Sequence, residues 1–256
     1  MRKVAIILGI LAFPAFADDL PTSGSCAPLD SDSTCAWSFD ADTNTLSITG
    51  QGKMANYGFE NKTRTTTSPW FAYTKQIQNI IIENGITNIG QAAFYGTQVE
   101  NIKIPNSVTS IGTYAFFETM KLKNIGLPDN LEKIGHAAFY GSSIISLDIP
   151  DSVILIDSAA LASRFLKTLT ISDKSSLVKS VFWAGGGFIP LGNLQIYCKG
   201  NIEICRKKIE EATNLENHPK MKTNFNIFRE NRRIYTIGEA EADSESTGNI
   251  FSIRYR

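Results

Sequence analysis

The sequence lacks most of what a soluble catalyst is built from. It holds two histidines in 256 residues, His136 and His218, and neither sits beside a nucleophile. The signatures HExxH, GxSxG and GxxxxGK(S/T) are absent, and so is any paired-cysteine metal spacing. The glycine run Gly185 to Gly187 has neither the lysine nor the hydroxyl that would cradle phosphate. Charge of one sign is also missing, since Lys plus Arg and Asp plus Glu both number 25, and no basic balance points to nucleic acid. No apolar run follows the first seventeen residues, so no later segment reaches the roughly 18 residues a membrane-crossing helix needs. These absences argue against an enzyme and call for neither cofactor nor metal. A hydrolase built on scattered carboxylates such as Asp148 and Asp151 is the residual alternative, and nothing selects those two from ordinary surface charges.

The first seventeen residues, MRKVAIILGILAFPAFA, have the three parts of a secretory leader. Arg2 and Lys3 are basic, Val4 to Phe13 is apolar, and Ala15 and Ala17 fit cleavage before Asp18. Removing them takes two basic residues from 25, leaving 23 against 25 acidic ones and a net charge near −2. Asp18 stands where a lipoprotein would carry its acylated cysteine, so the exported chain is expected to have no lipid anchor and no membrane span. Export to an oxidising compartment makes the four cysteines candidates for disulfides. Local pairing, Cys26 with Cys35 and Cys198 with Cys205, keeps each bridge within one structural unit, and four buried free thiols are the alternative. With 43% hydrophobic residues the chain has ample material for a continuous core.

Self-similarity organises the rest. ITNIGQAAFYGTQVENIKIPNS (86–107), VTSIGTYAFFETMKLKNIGLPDN (108–130) and LEKIGHAAFYGSSIISLDIPDS (131–152) align as repeats of 22, 23 and 22 residues. A degenerate copy spans 153–176, a fifth with a glycine insertion runs from Leu177 to about Asn201, and a half copy precedes them at 77–85. Within the first, Ile86 and Ile89 begin an extended stretch, Gly90 turns it, and Ala93 and Phe94 pack inward. The pairs Ile102/Ile104, Ile125/Leu127, Leu147/Ile149, Leu169/Ile171 and Leu194/Ile196 alternate with polar residues, as in strands with one buried face. Pro105, Pro128 and Pro150 follow three of these strands, where a missing N–H costs nothing. The column Gly90, Gly112, Gly135, Asp157 suggests a left-handed backbone conformation.

No copy can bury its own apolar face, so the copies must stack with their strands in parallel, forming a right-handed, curved solenoid. An N-terminal hairpin, Ala36 to Asp40 and Thr45 to Thr49, would seal one end with Trp37, Phe39, Leu46 and Ile48. A helix from Ile202 to Asn214, with Ile202, Cys205, Ile209 and Ala212 on one face, would seal the other. The basic run Arg206, Lys207, Lys208 then lies on a solvated helix face. NKTRTTTSP (61–69) reads as a surface loop. The tail 220–256 does not continue the repeat: Arg233 to Ile237 and Asn249 to Tyr255 alternate like strands on either side of the acidic EAEADSESTG, as a small hairpin or a flexible extension. The resulting division is leader 1–17, N-terminal cap and loop 18–75, about five repeats 76–201, and helical cap with tail 202–256.

The pattern IxxIGxxAF(Y/F), then a spacer, then LxxIx(I/L)P resembles the BspA-like, or Treponema pallidum-type, leucine-rich repeat, over roughly 77–200. CAWSFDADTNTLSITGQGKMANY, followed by SPW at Ser68 to Trp70, is similar to the segment that often precedes such repeats in secreted bacterial members. The resemblance implies a leucine-rich-repeat solenoid with a parallel sheet on its concave face. It further implies a secreted or cell-surface location, binding of proteins or host matrix components, a part in adhesion, and no catalytic residues to carry over.

Two candidate surfaces follow from the strand register. The concave sheet presents two outward rows: Asn79, Asn101, Asn124, Ser146, Thr168 and Asn193, and Ile81, Lys103, Gly126, Asp148, Thr170 and Gln195. Across about six strands they span roughly 24 Å, enough for a peptide or glycan, although such a row can equally serve to stiffen and solvate the sheet through like-to-like hydrogen bonds. The second is an aromatic strip of Tyr95, Phe117 and Tyr140, beside the core rings Phe94, Phe116 and Phe139. His136 fills a slot held elsewhere by Gln91, Thr113 and Ser158, and reads as an exposed spacer. The expected partner is a protein or glycan met by a monomer; a structural envelope component held by its tail is the competing role.

Overall fold

A computed structural model of the chain describes residues 20–60, 62–178, 181–184, 187–188, 194–213, 225–229 and 233–237. The leader, His218 and 249–255 lie outside these. The chain opens with β1 (Ser23–Ser25), β2 (Ala36–Asp40) and β3 (Thr45–Thr49), joined antiparallel, and β3 pairs in parallel with β6 (Asn79–Ile82). Between them, β4 (Phe59–Glu60) and β5 (Thr65–Thr66) form a two-stranded hairpin, followed by a 3-10 turn at Phe71–Tyr73. The stretch expected to be a plain surface loop therefore has structure, and Phe59 anchors it to the coils.

From Ile86 onward each coil supplies two strands. One series is β7 (Asn88–Ile89), β9 (Ser110–Ile111), β11 (Lys133–Ile134), β13 (Leu155–Ile156) and β15 (Ser176–Leu177), five strands paired in parallel. The other is β8 (Asn101–Lys103), β10 (Asn124–Gly126), β12 (Ser146–Asp148), β14 (Thr168–Ser172) and β18 (Gln195–Lys199). Between β15 and β18 lies an antiparallel pair, β16 (Trp183–Ala184) and β17 (Gly187–Phe188), at the glycine insertion. The third side of each coil has no strand, yet it is laddered: Ala92, Phe94 and Gly96 donate their N–H to Thr113, Ala115 and Phe117, and Tyr114, Phe116 and Glu118 donate to His136, Ala138 and Tyr140. The five-stranded sheet and this third side thus pass backbone hydrogen bonds from coil to coil, which is how a stack of short turns satisfies its polar groups.

The interior is a set of columns. Ile86, Val108, Leu131 and Val153 form one, Ile89, Ile111, Ile134 and Ile156 another, all buried. A spine of rings runs through them: Trp37 to Trp70 at 5.8 Å, Trp70 to Phe94 at 6.0 Å, Phe94 to Phe116 at 5.4 Å and Phe116 to Phe139 at 5.6 Å. Trp70 is held by its indole N–H, which donates to Ala93 O at 2.7 Å. In the fourth coil Leu161 takes the ring position, and Phe182 follows.

The glycine column has a different cause from the one expected. Gly90, Gly112, Gly135 and Asp157 are not in the left-handed region; Ala92, Tyr114, Ala137 and Ala159 are, two residues on, together with Gly96, Glu118 and Gly141. What the glycines permit is close stacking. A Cβ on Gly112 would lie 2.7 Å from Gln91 N, one on Gly135 2.7 Å from Thr113 N, and one on Gly90 1.8 Å from Ala55 O. The left-handed turn is held instead by the coil-to-coil ladder, strongly enough to impose positive φ on alanine and tyrosine.

The strand face is divided, where one continuous sheet was expected. β3–β6, β8–β10 and β12–β14–β18 are separate hydrogen-bonded groups. The break after β10 falls at Gly126, a residue that weakens strand interiors, and leaves Ile125 and Leu127 only partly buried. At the far end β18 continues in parallel to β19 (Phe225–Arg229), which turns back antiparallel into β20 (Arg233–Ile237). Part of the tail therefore joins the solenoid sheet instead of leaving it. Helix α1 (Ile202–Thr213) closes this end with Ile202, Cys205, Ile209 and Ala212 buried. Disulfides link Cys26 to Cys35 and Cys198 to Cys205.

Candidate functional site

The strand face is built by alternation: Ile102 and Leu147 point into the core while their neighbours stay outside. Asn79, Asn101, Lys103, Asn124, Ser146, Asp148 and Gln195 are exposed, and Thr168 and Thr170 half-buried. The register differs from expectation in the last coil. Thr168 pairs with Gln195 and Thr170 with Tyr197, so Gln195 belongs to the first row, Tyr197 ends the second, and Asn193 lies outside the described residues. Leu194 and Ile196 are buried as expected, and so is Cys198; the two in register with Leu169 and Ile171 are Ile196 and Cys198, two residues beyond the expected alignment.

Part of the face is committed to itself. Asn124 Nδ2 donates to Asn101 Oδ1 at 2.8 Å, and Asn79 Nδ2 donates to Thr43 O at 3.0 Å. Lys199 Nζ sits 2.5 Å from Asp148 Oδ1, crossing over the intervening strand. Between these contacts the face keeps openings. Gly126 has only Lys103 near the space a side chain would fill, and a cleft of about 260 Å³ opens where β6 and β8 are unpaired, lined by Gln78, Asn79, Gln98, Glu100, Asn101 and Lys121.

The aromatic strip is a stacked column. Tyr95 and Phe117 lie 5.8 Å apart and Phe117 and Tyr140 4.6 Å apart at 6° between planes, so ring faces meet each other. Phe59 from β4 packs against Tyr95, Tyr114 and Phe117. Tyr95 is buried, while Phe117 and Tyr140 are half-buried. Arg64, beside β5, makes an ion pair with Glu118, whose carboxylate also accepts from the Tyr95 hydroxyl. His136 is half-buried and not the exposed spacer expected: its Nδ1 lies 2.7 Å from Ser158 Oγ and its ring 5.3 Å from that of Tyr114.

Three other polar groups have structural explanations. Lys208 donates to Asp173 O and Ser175 O at 2.5 and 2.6 Å, so the basic run is not wholly a solvated face: this lysine fastens α1 to the fifth coil. Burial raises the Glu210 carboxyl above its usual value, against the lowering pull of Arg206. Burial also pushes the Tyr57 phenol up, and its hydroxyl has no hydrogen-bond partner. Among the described residues no group of three or more His, Cys, Asp or Glu is placed to hold a metal, and no helix is long and apolar enough to cross a membrane.

The coil recipe of IxxIGxxAF, a left-handed step and a short parallel strand matches a known family model, "BspA type Leucine rich repeat region", in six copies over residues 64–185. Residues 64–185 are BspA-type leucine-rich repeats. Six copies in that span compare with the five repeats and preceding half copy read from the sequence. Solved leucine-rich repeat structures resemble it. A protein of Eubacterium ventriosum does so at 25% identity and a TM-score of 0.41, over 57% of this chain and 44% of that one. The T. pallidum leucine-rich repeat protein does so at 20% and 0.35, over 62% and 77%. A leucine-rich cell surface protein of Faecalibacterium prausnitzii does so at 14% and 0.32, over 55% and 59%. The chain thus spans less than half of the E. ventriosum protein. No curated protein matches the chain.

Proposed function

We propose that this leucine-rich repeat chain is an exported, non-catalytic module that engages a protein ligand through its strand face at the cell surface. The observation that carries the reading is the face itself. Successive coils bring short amides, hydroxyls and charges into two rows, with an unfilled notch at Gly126 and a polar cleft at β6–β8. Such rows offer donors and acceptors at strand spacing to an extended backbone. The aromatic column is turned to the fold's own use, since its ring faces are occupied by one another and by Phe59.

The test is site-specific photocrosslinking in the producing cells. A photoreactive residue replaces Lys103 or Ser146 on the strand face and, as control, Lys133 or Ser176 on the five-stranded sheet. A protein adduct from the first pair and none from the second is expected. Adducts from the second pair alone, or from neither, overturn the reading.

A further inference from the structure

The corner leading into the strands carries a surface of a different kind. One residue before each strand, a backbone ladder turns the coil: Lys123 N–H donates to Glu100 O at 2.9 Å, Ile145 N–H to Lys123 O at 3.4 Å, and Lys167 N–H to Ile145 O at 2.8 Å. Just ahead of that ladder sit Met120 and Lys121 in the 23-residue repeat, then Ser143, then Arg164 and Phe165. Ser143 Oγ donates to Met120 O, tying these coils together.

The side chains there are unusual for a repeat surface. Met120 is 62% exposed, Phe165 51% and Ile145 42%, three large apolar groups on three successive coils. Between them stand Lys121, Lys123, Arg164 and Lys167, all exposed. Glu100 reaches Lys123 only at 4.0 Å, and among the described residues no carboxylate pairs with Lys121, Arg164 or Lys167. Two other acids of these coils are engaged elsewhere, Glu118 by Arg64 and Asp148 by Lys199. A chain with no formal net charge therefore concentrates four cations among exposed apolar side chains along one corner of the coils.

We infer that this corner is a peripheral docking surface for an anionic lipid bilayer. The occupant follows from charge and shape. Four cations suit an anionic partner, and the cleft that Lys121 borders is lined by polar residues alone, so the exposed apolar side chains have no apolar groove to serve; they suit insertion among acyl chains while the lysines and arginine meet headgroup phosphates. The corner lies at the rim of the strand face, so a docked molecule would hold that face beside the membrane surface.

Co-sedimentation of the chain from Asp18 onward, free of its apolar leader, tests this. The probes are vesicles of phosphatidylcholine with about 30% phosphatidylglycerol, and of phosphatidylcholine alone. Binding to the anionic vesicles only, weakening as salt rises, is expected. The variant K121Q/K123Q/R164Q/K167Q should lose on the order of several hundredfold in affinity, about fivefold per charge. M120S/I145S/F165S should lose on the order of tenfold, while K133Q/K207Q, on other faces, binds like the parent. The set K121R/K123R/K167R, which keeps every charge, should also bind like the parent, which separates lost charge from lost folding. Equal binding to neutral vesicles, or undiminished binding by the four-charge variant, overturns the inference. So does capture of a poly-glutamate peptide by a protein that ignores both vesicles.

Discussion

The coils of residues 86–152 and the coil that follows them obey the same plan with different tolerances. The first three keep phenylalanine in the core spine, glycine where coil meets coil, and an aromatic in the outer column. The fourth has Leu161, Asp157 and Ala162 in those places, and still pairs its strands with both neighbours. The five-stranded ladder is thus common to both sections, whereas ring stacking and backbone-to-backbone contact are demands of the uniform one. Because each coil packs mainly on its immediate neighbours, such differences stay local in their effect on stability.

The largest expected effect comes from the spine. Phe116 is sandwiched between rings at 5.4 and 5.6 Å, so Phe116→Ala should cost about 4 kcal/mol in urea unfolding, and Leu161→Ala about 3 kcal/mol. A reversed order would break the contrast between the two sections. Next comes the glycine column. Gly112→Ala drives a methyl to 2.7 Å from Gln91 N and should cost about 2 to 3 kcal/mol, whereas Asp157→Ala, at a place that already carries a side chain, should cost less than about 1 kcal/mol. The disulfides extend the comparison to the two ends. Serine at Cys26 and Cys35, or at Cys198 and Cys205, should cost about 2.5 kcal/mol each. Hydrogen exchange should rise only at the end that was opened.

The smallest effect is one of pH. Burial raises the Glu210 carboxyl when folded, so its contribution is fully present below the unfolded value and is lost as pH rises through the folded one. Glu210→Gln should therefore leave Tm unchanged near pH 4 and raise it slightly at pH 7. A fall at pH 7 would mean that the attraction of Arg206 outweighs desolvation.

What the sequence made legible was whatever repeats with a period. The 22-residue spacing and the alternation Ile102/Ile104 located the strands, the hairpin before them and the inward rings. The left-handed steps at Ala92, Tyr114 and Ala137 left no trace, because neither alanine nor tyrosine advertises positive φ. The register of the last strand was lost at the glycine insertion, where spacing stops being informative. β20 was legible in the alternation of Arg233 to Ile237, whereas β19 and the parallel pairing that carries both onto β18 were not, because a closing strand need not copy the repeat. The corner of Met120 and Lys121 did leave a signal, the twenty-third residue of one repeat, but only the stacking shows that it lines up with Ile145 and Phe165. For the candidate face, the residue types were readable and the internal bond between Asn101 and Asn124 was not.

The central claim is that the strand face meets its partner outside the cell. Protease treatment of intact producing cells, with a cleavable tag placed in the β4–β5 hairpin at Lys62 and fractionation to follow, tests it most directly. Cleavage without lysis is the predicted result. Full protection until the envelope is broken, with the protein recovered from the periplasm, would contradict it.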